Sequence, residues 1–131
     1  MQYTQLFEEA VKASANSYSK YSGFSVGAAV LTKDNRIFTG CNIENASFSL
    51  TNCAERTAIF KAVSCGARDF TAIAVAGSSH GDFYKSPCIP CGACLQVISE
   101  LCGNDFIIVL SDGIYKLSDF LPFRFTGKDL K

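Results

Sequence analysis

Apolar positions along the chain follow two periods in turn. Between Thr4 and Tyr18, Leu6, Phe7, Ala10, Val11 and Ser14 recur near one face at helical spacing, which predicts an amphipathic helix. Ser19–Gly23 is polar, aromatic and glycine-terminated and reads as a loop. Ser25–Leu31 is a short apolar run with small residues, suited to a strand packed closely on something bulky. Lys33–Arg36 reads as a turn and Ile37–Cys41 as the returning strand of a hairpin. Asn42–Thr51 is polar and has no period, which predicts an ordered loop. Helical spacing resumes over Cys53–Cys65, with Asn52 as the expected N-cap and Gly66 as the closing residue. Phe70–Gly77 is almost continuously apolar, as in a strand buried on both faces. The long loop Ser78–Pro90 leads to a second capped helix, Cys91–Cys102, with Gly103 at its end. Phe106–Leu110 predicts a fourth strand, Asp112–Gly113 a turn and Ile114–Leu117 a short fifth strand. The tail, Ser118–Lys131, carries Phe120, Phe123 and Phe125 and is too apolar for a free terminus.

Helices alternating with apolar strands give an α/β layered sheet, and both cysteine-led helices start at strand-to-helix edges, where such folds bind ligands. Residues 1–131 are enough for a single domain with a real core. Hydrophobic residues make up 48% and charged residues 18%, an apolar excess that points to buried subunit interfaces. The 12 basic and 12 acidic residues cancel and no basic run exists, which argues against a nucleic-acid partner. No stretch is long and apolar enough for a membrane span, and the polar amphipathic segment directly after Met1 predicts no export leader. Seven cysteines, an odd number, sit in helix-like and strand-like segments; this favours reduced thiols in the cytoplasm over a disulfide framework.

The cysteines carry the candidate chemistry. Cys53 and Glu55 stand two residues apart at a predicted helix start, and Cys88, Cys91 and Cys94 follow within Pro87–Cys94 at the next. Thiolates in a C-x-x-C pair plus a distant third form a three-ligand zinc site whose fourth position stays open for a water. Glu55 is carried beside that position without being a ligand, as a proton carrier requires. A metal-ligand-x-Glu motif followed by P-C-x-x-C is the signature of zinc nucleobase deaminases. Helix N-termini at both motifs would stabilise thiolates, and Arg56, one turn from Cys53, could hydrogen-bond the sulfurs. Two pairs fit the pattern, Cys88 with Cys91 and Cys91 with Cys94. Gly92 and Ala93 favour the second by letting the backbone approach a metal, while Pro90 removes an N–H from the first. All four cysteines together could instead close a structural zinc site in a non-enzymatic module. Cys41, Cys65 and Cys102 read as packing residues, and His80 as a solvent-facing loop residue.

With these motifs placed, the chain resembles the small, homotetrameric, zinc-dependent cytidine deaminases from about Leu6 to Leu130. The resemblance is densest in Gly40–Ala46, Asn52–Ala58, Cys91–Cys94 and Gln96–Glu100. It implies a three-layer α/β/α fold with a mixed five-stranded sheet, one zinc ion per subunit, and active sites completed by neighbouring subunits. It implies hydrolytic deamination of cytidine and deoxycytidine to uridine and deoxyuridine in pyrimidine salvage. Zinc would be held by Cys53, Cys91 and Cys94, with Glu55 moving protons between the attacking water, ring N3 and the departing amine. Asn42 and Glu44 would grip the ribose hydroxyls, Phe24 would lie against the pyrimidine, the Ala54 backbone would meet the base edge, and Phe125 would reach a neighbour's site. The intact Asn42-x-Glu44 pair argues for an ordinary ribose over a modified nucleoside such as blasticidin S. Three features depart from the family: an apparent insertion at Cys88-Ile89-Pro90, Leu95 in place of an arginine, and Phe48 in place of a tyrosine.

Overall fold

The computed structural model describes residues 2–130. Its elements in chain order are α1 (Tyr3–Ala13), β1 (Ser25–Thr32), β2 (Ile37–Cys41), α2 (Ala54–Ser64), β3 (Phe70–Ser78), α3 (Gly92–Leu101), β4 (Ile107–Leu110), β5 (Gly113–Lys116) and a single-turn α4 (Leu117–Phe120). The strands form one five-stranded sheet in the order β2-β1-β3-β4-β5. Only β3 and β4, joined through α3, run parallel; the other neighbours are antiparallel. The sheet is therefore mixed, as expected.

Side-chain alternation along β1 and β3 sorts the two faces. Val26, Ala28, Val30, Ile73 and Val75 point into a core shared with Ala58, Ile59 and Ala62 of α2 and Leu95 and Ile98 of α3. Ala29, Leu31, Ala72, Ala74 and Ala76 point to the opposite face, where Leu6, Phe7 and Ala10 of α1 cover them. Helices on both faces make the three layers. Each fully buried Leu or Ile side chain contributes about 1.5–3 kcal/mol to holding them together. The small residues of β1 serve close approach: a Cβ at Gly27 would lie 1.9 Å from the Ala10 carbonyl oxygen. The bulky neighbour expected for this strand is thus the backbone of α1 itself.

Several boundaries differ from expectation. α1 stops at Ala13 and continues only as a 3₁₀ turn over Ser14–Asn16, not to Tyr18. The Ser14 hydroxyl donates back to the Val11 carbonyl at 2.5 Å, and the Tyr18 N–H donates to the Asn42 carbonyl at 3.0 Å. The N-cap of α2 is Cys53, not Asn52: Cys53 has extended backbone, and its carbonyl accepts the Thr57 N–H at 3.0 Å. Gly66 does close α2, with φ +98° and the paired bonds Gly66 N–H to Val63 and Ala67 N–H to Ala62 of a Schellman ending. Gly103 does not close α3 in that way, because Cys102 turns the chain into extended backbone first. The fifth strand spans Gly113–Lys116, one residue earlier than the pattern suggested.

Candidate active site

Cys53 and Cys91 occupy equivalent positions, each the N-cap of its helix with extended backbone, φ −74° and −72°. Cys94 lies in the first turn of α3 and is fully buried. The two helix starts converge, so the three sulfurs all lie within 4.8 Å of one another. Cys53 and Cys91 Sγ atoms are 3.8 Å apart and Cys91 and Cys94 Sγ atoms 3.6 Å. A tetrahedron with Zn–S bonds of about 2.3 Å has S···S edges of about 3.8 Å, so the cluster has the size and the soft donors zinc needs. Among the described residues, Cys88 is outside this group. Its half-buried thiol is pushed up to about 12, first by burial and then by the negative charges of Glu55 and Cys53, so it stays neutral. No disulfide links any of the cysteines.

Electrostatics concentrates negative charge on Cys53. The neighbouring Cys94 thiol, and then the Arg56 guanidinium, pull it down to about 5 against the opposing effect of burial. Cys94 is pushed up by that same contact and by burial. Arg56 donates from Nη2 to Cys53 Sγ at 3.3 Å, as its position one turn along α2 allows. It is a sulfur-bound arginine, not a solvated surface one.

Glu55, in the first turn of α2, is 4% exposed. Burial pushes its carboxyl up to about 7, opposed by its own backbone N–H. A carboxyl in that range exchanges protons near neutrality, as general acid/base work requires. Ala54 is fully buried beside it.

Asn42 and Glu44 are buried and already engaged. Asn42 Oδ1 accepts from the Ser17 hydroxyl and, at 3.0 Å, from the Val26 N–H, while its Nδ2 donates to the Phe24 carbonyl at 2.8 Å. Glu44 Oε1 accepts the N–H groups of Tyr21 and Ser22, each at 3.0 Å, and Oε2 accepts the Ser22 hydroxyl. The Ser22 hydroxyl, followed by its N–H, holds the Glu44 carboxyl below its ordinary value. These two side chains explain why an unpatterned loop is ordered: they tie residues 17–26 to it. Each keeps capacity to spare, one N–H on Asn42 and lone pairs on Glu44 Oε2. Phe24, 38% exposed, lies close against Gly77, where a Cβ would meet its ring carbons at 2.8 and 2.9 Å and Cys88 Sγ at 2.8 Å. Phe125 stands apart on the tail, 56% exposed and outside the cysteine cluster.

Sequence reasoning missed Ser17 and Ser22 as anchors and Cys88 as the neighbour of Phe24. Nothing in a serine-rich loop singles out which hydroxyl meets a carboxylate 22 residues away.

The geometry agrees with the comparisons with known proteins. The profile described as the cytidine and deoxycytidylate deaminase zinc-binding region matches residues 1–110. A cytidine deaminase of Sporosarcina psychrophila is 49% identical across 99% of this chain and 96% of its own. One of Halalkalibacterium halodurans is 47% identical across 99% and 98%. The crystal structure of cytidine deaminase from Burkholderia pseudomallei superposes with a TM-score of 0.86 at 45% identity, covering 95% of this chain and all of that one. A blasticidin-S deaminase of Bacillus cereus is more distant, at 34% identity over 77% of the chain. The chain belongs to the cytidine and deoxycytidylate deaminase family. Its three-cysteine cluster and the family's zinc-binding region together fit one zinc ion per chain.

Proposed function

We propose that this chain, acting as one domain, is a cytoplasmic pyrimidine-salvage enzyme that hydrolyses cytidine and deoxycytidine to uridine and deoxyuridine with release of ammonia. The observation that carries this reading is a carboxyl only 4% exposed, Glu55, delivered by the same helix start as one of three sulfurs spaced for zinc. Cys53, Cys91 and Cys94 hold the ion, and Arg56 moderates the charge of the thiolate it touches. Bound zinc supplies Lewis acidity that makes a water nucleophilic at neutral pH. Glu55 takes the proton that the attacking water gives up as oxygen bonds to ring C4, and delivers it to N3. It then carries a second proton from the new hydroxyl to the amine, which leaves as ammonia while the C4 carbonyl forms. Water in, ammonia out, and Glu55 returns to its starting state.

Substrate contacts follow from what each residue has free. The Phe24 ring, whose edge lies close to Gly77, offers a face to the pyrimidine. The Ala54 backbone lies beside Glu55 at the base edge. Asn42 and Glu44 give their remaining donor and acceptor capacity to the ribose hydroxyls. Phe125 enters the site of a neighbouring subunit in a homotetramer. Its exposure, with those of Phe123 at 92%, Phe48 at 74% and Leu50 at 68%, supports an interface that buries apolar surface.

Absorbance of cytidine, deoxycytidine and blasticidin S is followed after adding purified zinc-loaded protein. Both cytosine nucleosides convert to the uracil products and blasticidin S does not. Conversion of blasticidin S alone, or of nothing, overturns the assignment.

A further inference from the structure

Beyond Leu121, no described residue of the tail is buried. Apolar packing therefore does not hold the segment that carries Phe125; hydrogen bonds to α3 and to the residues that follow it do. Arg124 makes four of them, two to Ser99 of α3, from Nε to its hydroxyl and from Nη2 to its carbonyl, both at 2.8 Å, and two just past the helix, from Nη2 to the Cys102 carbonyl at 3.0 Å and from Nη1 to the Asn104 carboxamide oxygen at 2.7 Å. Gln96 adds a fifth, from Nε2 to the Phe125 carbonyl at 2.9 Å.

The guanidinium does two jobs at one place. The last carbonyls of any helix lack intrahelical partners, and α3 ends without the glycine cap that could have satisfied them. Arg124 satisfies two of them, and its planar fork suits several fixed acceptors at once as a lysine ammonium does not. The same bonds set the path of the next residue, Phe125. Gln96 and Ser99, three apart on α3, present their polar groups to the tail, while Cys94, Leu95 and Ile98 are buried.

We propose that Arg124 is a positioning residue: it clamps the tail to α3, the helix that begins with Cys91 and Cys94, so that Phe125 is held ready for the neighbour's pyrimidine site. The proposal rests on the shared-site reading above. Holding Phe125 in place beforehand removes the ordering cost from substrate binding. Loss of the clamp therefore appears in KM and leaves the chemistry at Glu55 alone.

The test compares cytidine kinetics of zinc-loaded wild type, Phe125→Ala, Arg124→Met and the double variant, with zinc content and sedimentation on each. Phe125→Ala raises KM by roughly fivefold or more, the lower bound for a lost base–aromatic contact. Arg124→Met raises KM comparably, keeps kcat within about twofold and keeps zinc and assembly. The double variant is no worse than Phe125→Ala, because both changes remove one contact. A normal KM in Arg124→Met beside a raised one in Phe125→Ala overturns the clamp and spares the shared site. Multiplying effects in the double variant, or loss of assembly in Arg124→Met, assign Arg124 a different role and also overturn it. A normal KM in Phe125→Ala overturns both readings. Should Arg124→Met fail to fold, Arg124→Lys, which keeps the stem and charge but not the fork, gives the same readout.

Discussion

Four sulfurs gather around the starts of α2 and α3, and they differ in kind. Cys53, Cys91 and Cys94 face one another, whereas Cys88 packs against Gly77 and the Phe24 ring as a neutral thiol. Cys94→Ser is therefore expected to lose zinc and activity together, and Cys88→Ser to keep one zinc per chain; metal analysis of both variants decides it. Zinc lost from both would restore the closed four-cysteine site. The pair Cys91-x-x-Cys94 was legible from the small residues between its members. The position of Cys88 was not, because it depends on where the loop Ser79–Pro90 returns to the sheet. Two other departures find physical settings. Leu95, where the resemblance implies an arginine, is 7% exposed and joins the core beside Ile98, where an apolar side chain belongs. Phe48, where the resemblance implies a tyrosine, is 74% exposed.

At the scale of elements, what matters is that α2 approaches β2 closely enough to aim Cys53 and Glu55. Gly40 permits this: a Cβ there would lie 2.4 Å from the Ala58 nitrogen and 2.8 Å from the Ala54 carbonyl oxygen, both backbone atoms that cannot rotate away. Gly40→Ala should destabilise the fold by about 1–3 kcal/mol, as overpacking does. It should also lower activity through displacement of α2. Denaturant unfolding beside cytidine turnover measures both, and unchanged stability would show that the helix has room. The elements themselves were readable because each strand and helix keeps its period over enough residues. Their ends were less so. The end of α1 is set by pairing of Tyr18 with the loop at Ile43, and the end of α3 by an arginine 22 residues beyond Cys102; neither contact leaves a local mark in the sequence.

For the whole molecule, the unresolved economy is that of exposed aromatic surface. Phe123 and Phe125 are far more exposed than their composition warrants in an isolated chain. The tail was legible as too apolar to be free, yet its attachment through polar bonds to α3 was not. Mixing Phe125→Ala with inactive Glu55→Gln should rebuild sites that join an intact Glu55 to an intact Phe125 from the other chain. Partial recovery of cytidine affinity after verified subunit exchange is the expected outcome, and no recovery would confine each site to one chain. Among the described residues no helix is long and apolar enough to cross a membrane. The proposed reaction turns on one proton carrier beside one zinc ion. The most direct measurement is cytidine turnover by Glu55→Gln, with zinc stoichiometry determined on the same sample. The carboxamide keeps the shape but cannot accept a proton, so turnover falls by about 10²–10⁴-fold or more while one zinc per chain remains. Near-normal turnover in zinc-replete Glu55→Gln would contradict the account.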